Sequence, residues 1–181
     1  MNTTPLPIEQ SAADNTETYV RDCLIFMDTS AFLHSNYEAF MLRAAPLLKK
    51  YNVTIIVPST VYAELNLVRS HPHMCREVAA NAIKHIEAYT HEGVVSVQQY
   101  PGHAYCPSNT ASVDFFAEQV AELCSKRKLL LITEDVQLAV DIVSPAYDGA
   151  GELAHPVRVV RIDAHGALQP VPVDIPESSS F

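Results

Sequence analysis

Four short runs of almost continuously apolar residues constrain the fold of this chain more than any other feature of its sequence. They span residues 23–27, 53–57, 94–97 and 129–132, and a fifth run covers residues 157–162. Strands that are buried on both faces of a parallel sheet have this composition, because neither face meets water. The segments between the first four runs are long enough to be crossover connections. The sequence therefore predicts an α/β protein with a mainly parallel sheet of about five strands.

Helical spacing in the connecting segments supports the same architecture. Residues 77–89 and 113–128 carry apolar side chains every three or four positions, as amphipathic helices do. Right-handed crossovers place such helices on the faces of the sheet. We therefore predict a three-layer α/β/α sandwich.

The length of 181 residues suits one domain with a short segment at each end. Residues 1–22 are polar and include two prolines, which predicts a flexible lead-in. Residues 163–181 contain further Pro and Ser residues, which predicts an extended tail. The folded domain is then expected over residues 23–162.

The sequence carries no signal for export or for membrane insertion. No window contains the roughly 18 continuous apolar residues of a transmembrane helix, and the first ten residues lack the basic and apolar regions of a secretory leader. The four Cys are far apart and form no C-x-x-C pair. These features predict a cytoplasmic, intracellular protein without a membrane partner, with the nucleus left open.

Charge and glycine content exclude several classes of function. A net charge of −9 argues against a protein that coats nucleic acid through a general basic surface. It is compatible with an enzyme that holds a polyanion through metal ions. Among the five Gly there is no G-x-G-x-x-G and no G-x-x-x-x-G-K, so dinucleotide and P-loop sites are not expected.

Acidic residues follow the predicted strands at the edge where α/β proteins place their functional crevice. Asp28 follows the first run, Glu64 lies in the predicted helix after the second, and Asp135 comes just after the fourth. Asp114 opens the predicted helix before the fourth strand. That helix descends about 24 Å and the strand climbs back about 16–20 Å, which returns the chain to the same edge. We therefore expect four carboxylates to face one small volume.

Each acid also has a simple structural explanation. Asp28 and Asp135 suit helix N-caps, Asp114 suits the first turn of a helix, and Glu64 suits a solvent-exposed helix face. Together, however, the four charges repel one another unless cations compensate them. Hard oxygen ligands favour Mg²⁺ or Mn²⁺ over Zn²⁺. The sequence therefore predicts a divalent metal site.

Four motifs in this order resemble the PIN-domain nucleases: CLIFMDTSAFLH, VPSTVYAEL, SVDFFAEQVAEL and LLLITEDVQLAV. The resemblance covers about residues 23–143 and implies a PIN-like fold. The residues that it assigns to the site are the catalytic, metal-binding acids Asp28, Glu64, Asp114 and Asp135 and the supporting hydroxyls Ser30 and Thr133.

The resemblance also implies an activity. A PIN-like protein is expected to hydrolyse phosphodiester bonds with Mg²⁺ or Mn²⁺, most often as an endoribonuclease on single-stranded or looped RNA. Two alternatives stay open: a structure-specific DNA nuclease, and a catalytically silent PIN-like module for RNA binding or assembly. A homodimer and a protein partner are both compatible with this interpretation.

Two features depart from the family pattern or extend it. The Thr-Glu-Asp turn adds Glu134 beside the site, and Glu118 lies one helical turn after Asp114, as an additional or alternative metal ligand. The segment after the third strand is interpreted either as a plain crossover connection or as a loop whose aromatic rings stack on unpaired bases. The residues predicted to contact substrate are Arg43, Arg69, Arg76 and Tyr105.

Overall fold

A six-stranded sheet forms the centre of the fold. The structure is a computed structural model that describes residues 16–71, 75–99, 128–148 and 157–171. The strands are β1 (Leu24–Met27), β2 (Ile55–Pro58), β3 (Val95–Gln98), β4 (Leu129–Ile132), β5 (Val157–Ile162) and β6 (Leu168–Pro170). Their order across the sheet is β3-β2-β1-β4-β5-β6.

The first five strands are parallel, and β6 runs antiparallel to β5. The central pair is β1 with β4, in which Leu24 lies opposite Leu129 and Met27 lies opposite Ile132. The chain leaves β1 toward β2 on one side of this pair and leaves β4 toward β5 on the other. Such a switch point opens a crevice at the carboxyl ends of the two strands.

Six helices are described: α1 (Thr16–Asp22), α2 (Thr29–Phe32), α3 (Tyr37–Tyr51), α4 (Ser59–Ser70), α5 (Arg76–His91) and α6 (Val136–Asp148). With right-handed crossovers, α3, α4 and α5 cover one face of the sheet and α6 covers the other. This arrangement fits the predicted three-layer sandwich. None of the described helices combines the length and the apolar character needed to cross a bilayer.

Burial explains why these segments form these elements. Every residue of β2 and of β4 is buried, as expected for strands that helices cover on both faces. The predicted helix over residues 77–89 lies within α5, which turns Ala82, Ile83 and Ile86 toward the core. The five predicted strands are therefore confirmed, with bounds shifted by no more than two residues.

The folded region extends beyond residues 23–162 at both ends, which corrects the two predicted boundaries. Within the predicted lead-in, α1 packs on α3 and buries Tyr19 and Val20. Within the predicted tail, β6 pairs with β5 and buries Leu168. The backbone N–H of Leu168 donates to Thr16 Oγ1 at 3.2 Å, so the two ends also hold each other. Composition did not reveal these elements because tertiary contacts stabilise both.

Candidate active site

Asp28 lies at the carboxyl end of β1, where it is the N-cap of α2. Its side chain is only 6% exposed. Oδ2 accepts hydrogen bonds from the Ser30 backbone N–H at 3.3 Å, from Ser30 Oγ at 2.7 Å and from Thr133 Oγ1 at 3.1 Å. Among the described residues, no group donates a hydrogen bond to the other carboxylate oxygen, Oδ1. The carboxylate is therefore buried, fixed by neutral donors, and left with one oxygen for a further ligand.

Thr133 and Asp135 approach Asp28 from β4, the strand that pairs with β1. Thr133 is fully buried, and its Oγ1 lies 3.1 Å from Ser30 Oγ and accepts from the Asp135 backbone N–H at 3.0 Å. Asp135 caps α6, because its Oδ1 accepts from two backbone N–H groups in the first turn, at 2.9 and 3.1 Å. Both aspartates thus serve as helix caps, and each keeps its second oxygen.

Glu64 is tied to the same edge through a residue that the sequence prediction did not include. α4 begins directly after β2 and carries Glu64 in its second turn, half-buried. Thr29, the residue after Asp28, donates from Oγ1 to Glu64 Oε2. The sequence contained one indication that Thr29 belongs to the site, because this residue lies between the predicted site residues Asp28 and Ser30. The turn after β1 therefore contacts two acids from different parts of the chain: Thr29 donates to Glu64, and Ser30 donates to Asp28.

Glu134 does not add its charge to this group of acids. Its backbone N–H donates to Ser30 Oγ at 2.9 Å, but its carboxylate turns to β5, where Oε1 accepts from the Ile162 backbone N–H at 2.8 Å. The unusual Thr-Glu-Asp turn therefore links the site to β5. Glu134 therefore lies beside the site through its backbone bond to Ser30, while one oxygen of its carboxylate is bonded to β5.

Within the described residues, no Lys or Arg forms an ion pair with Asp28 or Asp135. The lysines of α3 pair elsewhere, Lys49 with Glu92 at 2.7 Å and Lys50 with Glu17 at 2.8 Å. These lysines lie at the end of α3 that leads into β2, which is the opposite edge of the sheet. Among the residues that the structure describes, the charges of these two aspartates are therefore not offset by a basic side chain.

Arg69 and Arg76 lie beyond the edge of the sheet that carries the acids. Tyr62, near the start of α4, donates to Glu87, near the end of α5, so the two helices run antiparallel. Because α5 ends where β3 begins, α4 rises away from the carboxyl edge. Arg69, exposed, is about 7.5 Å along the helix axis from Glu64. Both arginines thus lie beyond the edge of the sheet at which the strands β1, β2 and β4 end.

The other predicted site residues are not brought to this place by the described structure. Arg43 is exposed near the middle of α3, which runs from there toward the opposite edge of the sheet. Asp114, Glu118 and Tyr105 lie outside the described residues, as does most of the predicted helix over residues 113–128.

The described acids have the chemistry of an Mg²⁺ or Mn²⁺ site but do not complete one. Carboxylate and hydroxyl oxygens are hard donors that suit these ions, and Asp28 and Asp135 each offer one oxygen. Among the residues that the structure describes, no group of three or more His, Cys, Asp or Glu is placed to hold a metal ion. A metal ion held here would have to complete its ligand set from water or from residues outside the described ranges.

The hydroxyl of Thr133 should contribute measurably to stability. The substitution Thr133→Val keeps the shape of the side chain but removes its buried hydroxyl. The Asp28 carboxylate then loses a hydrogen-bond donor, and the Asp135 backbone N–H loses its acceptor. We expect the free energy of unfolding to fall by about 1–3 kcal/mol, measured by urea denaturation. Thr54→Val is the control, because its hydroxyl makes one 3.3 Å bond to Gly93 O near the surface. Equal losses in both variants would contradict the buried network.

Sequence comparison with known proteins gives no family assignment. The chain matches no family model, and no curated protein matches it. What the described residues define is an α/β protein with two aspartates after the strands at the switch point of its sheet.

Proposed function

We propose that this protein is a PIN-like, metal-dependent nuclease that cleaves phosphodiester bonds in single-stranded or looped RNA. The observation that carries the proposal is the pair of aspartates at the β1–β4 switch point. Thr133 Oγ1 donates to the Asp28 carboxylate and accepts from the Asp135 backbone N–H, and no basic side chain of the described residues pairs with either carboxylate. An acidic protein can bind a polyanion at such a place when a divalent ion mediates the contact.

Each residue of the site has a defined task in this proposal. Asp28 and Asp135 would hold the ion through the oxygens that their caps leave available, together with Glu64 and Asp114. When bound, Mg²⁺ or Mn²⁺ supplies a Lewis acid that acidifies water and offsets the charge of the phosphate. The hydroxyls of Thr133, Ser30 and Thr29 hold the carboxylates of Asp28 and Glu64, and backbone N–H groups hold that of Asp135, so that little reorganisation is needed when substrate arrives.

The preference for RNA is supported by the resemblance to the PIN-domain nucleases. Arg69 and Arg76 are candidate contacts to the phosphate backbone because they are basic, and their place beyond the acidic edge is compatible with that role. A silent PIN-like module is the second candidate. One observation favours it: the described acids alone do not enclose a metal ion.

A cleavage assay with the full chain separates these candidates. We expect labelled single-stranded RNA to be cut in the presence of Mn²⁺ and to stay intact when EDTA is added. Mn²⁺ should also raise the melting temperature of protein first stripped of metal by a chelator, because an ion that binds only the folded state stabilises it. Cleavage of branched or flap DNA but not RNA would indicate the DNA nuclease. No cleavage of either, with an unchanged melting temperature up to millimolar Mn²⁺, would favour the silent module.

A further inference from the structure

A second cavity, of about 440 Å³, lies beside the candidate active site. Its walls come from the link after α2, the turn after β4, the end of β5 and the β5–β6 turn. The polar side chains that line it are His34, Glu134, Arg161, Asp163, His165 and Gln169. This volume is within the range of about 300–1,000 Å³ that small-molecule sites occupy.

Glu134 forms the wall between this cavity and the acids. Its backbone N–H bonds to Ser30 Oγ in the candidate active site, while its carboxylate lines the cavity. Thr133 and Asp135, its neighbours in the sequence, both belong to the hydroxyl network around Asp28. One residue therefore separates the two places, and a single strand that crosses the acids can reach the cavity with its next nucleotide.

The acids of the cavity are already engaged in holding its shape. Glu134 Oε1 accepts from the Ile162 N–H at 2.8 Å. Asp163 Oδ1 accepts from the backbone N–H groups of His165 and Ala167, each at 2.8 Å, and its Oδ2 accepts from Gln169 at 3.0 Å. Partial burial alone would raise the pKa of Asp163, but these hydrogen bonds hold it below its usual value. Both carboxylates are thus offset by donors of the protein itself.

Among the described residues, the basic side chains of the cavity keep hydrogen-bond donors that no protein group uses. Arg161 is exposed, and within the described residues its guanidinium forms no ion pair and no hydrogen bond. His34 uses Nδ1 to accept from the Asn36 N–H at 3.3 Å, which leaves Nε2 for another partner. A planar guanidinium matches the geometry of a phosphate, which it can bind through two parallel bonds. The free capacity of the cavity is therefore suited to an anionic ligand with polar edges.

We propose that this cavity is a subsite for the nucleotide of an unpaired RNA strand that lies next to the cleaved bond. Arg161 binds the phosphate of that nucleotide, and the mixed donors and acceptors around His34 and Gln169 face its base. The proposal rests on the proposed nuclease function, since it takes the acids as the place of cleavage. It assigns substrate positioning to the β5–β6 side of the crevice, opposite the side of Arg69 and Arg76.

The test compares two arginines of the same strand. Arg161→Gln removes the proposed phosphate contact. Arg158→Gln is the control, since it removes a charge of the same kind from the other face of β5. Positions three apart in a strand face opposite sides of the sheet. The Arg158 guanidinium lies over the Tyr19 ring, 5.6 Å from its centre. Both full-length variants are made in an Asp135→Asn background, and their affinity for a fluorescent ten-nucleotide unstructured RNA is measured by anisotropy with Mn²⁺ present, at several salt concentrations.

We expect Arg161→Gln to weaken RNA binding about tenfold, since a charge-assisted contact to phosphate is lost. The slope of log affinity against log salt should become shallower by about 0.7, the value for one phosphate on a single strand. Arg158→Gln should stay within about twofold of its parent. Equal weakening by both variants, or none by Arg161→Gln, would overturn the subsite.

The outcomes for the subsite and for the nuclease are separable. If the otherwise unmodified protein cuts no RNA but its Asp135→Asn form binds RNA through Arg161, the cavity is an RNA-binding site, while the nuclease proposal fails and with it the place of the subsite next to a cleaved bond. If cleavage occurs and Arg161→Gln binds RNA as tightly as its parent, the nuclease stands and the subsite fails. If no RNA binds under any condition, both are overturned.

Discussion

Asp135→Asn is expected to lower the rate of Mn²⁺-dependent RNA cleavage by at least about 100-fold while the protein stays folded, because even the outer partners of a metal site are worth 10–100-fold. The variant replaces the oxygen that is proposed to hold the ion with an amide nitrogen. The helix cap survives, since Asn keeps the Oδ1 that accepts from the Gln137 and Leu138 N–H groups and caps helices as well as Asp does.

Asp141→Asn is the matched control for this variant. It removes the same charge from the helix that Asp135 caps. Within the described residues, the hydrogen bond that Asp141 Oδ1 accepts comes from the Gln137 side chain, at 2.8 Å. Cleavage by this control should stay within about twofold of the unmodified protein, since surface charges far from a reacting group act weakly through screening solvent. Rates are measured under single-turnover conditions with saturating Mn²⁺, and folding is followed by thermal melts. An Asp135→Asn protein with undiminished turnover would contradict the assignment of Asp135.

The parallel sheet was predictable because burial on both faces leaves a mark in the sequence. The run at residues 129–132 is apolar throughout, and all of β4 is buried. β6 leaves no such mark: it is three residues long, contains Gln169 and Pro170, and depends on pairing with β5. A strand of this kind forms because it pairs with the neighbouring strand, so its own composition does not predict it.

The candidate site was predictable only up to the edge of the sheet on which it lies. Asp28, Glu64 and Asp135 each come shortly after a predicted strand, which indicated that they lie at the same edge of the sheet. Whether they also lie close together depends on the order of the strands in the sheet, which the sequence does not show. Because β1 pairs with β4, Asp28 and Thr133 face each other across adjacent strands. The turn of Glu134 toward β5 follows from the same order, and nothing in the local sequence indicates it.

The β5–β6 turn, which forms one wall of the nucleotide subsite, is packed tightly against α3. Gly166 has φ +74°, and a Cβ at this position would lie 2.7 Å from the backbone of Ala39 and Phe40. Asn36 Nδ2 donates to Asp163 O at 3.1 Å beside this contact. Residues 163–166, which composition assigned to an extended tail, are therefore held against the body of the protein, whereas a tail without such contacts would accept a methyl group at no cost.

Gly166→Ala is accordingly expected to lower the free energy of unfolding by about 3 kcal/mol or more, since backbone strain and overpacking each cost 1–3 kcal/mol. Gly93→Ala separates the two causes. Gly93 has φ +73°, but no atom lies within 4 Å of the place that an alanine methyl group would take, so this variant should lose only the roughly 1–2 kcal/mol of a left-handed alanine. Urea denaturation of both proteins measures the difference. If Gly166→Ala loses no more than Gly93→Ala, the turn is not held against α3, and the wall of the subsite that depends on it is not rigid.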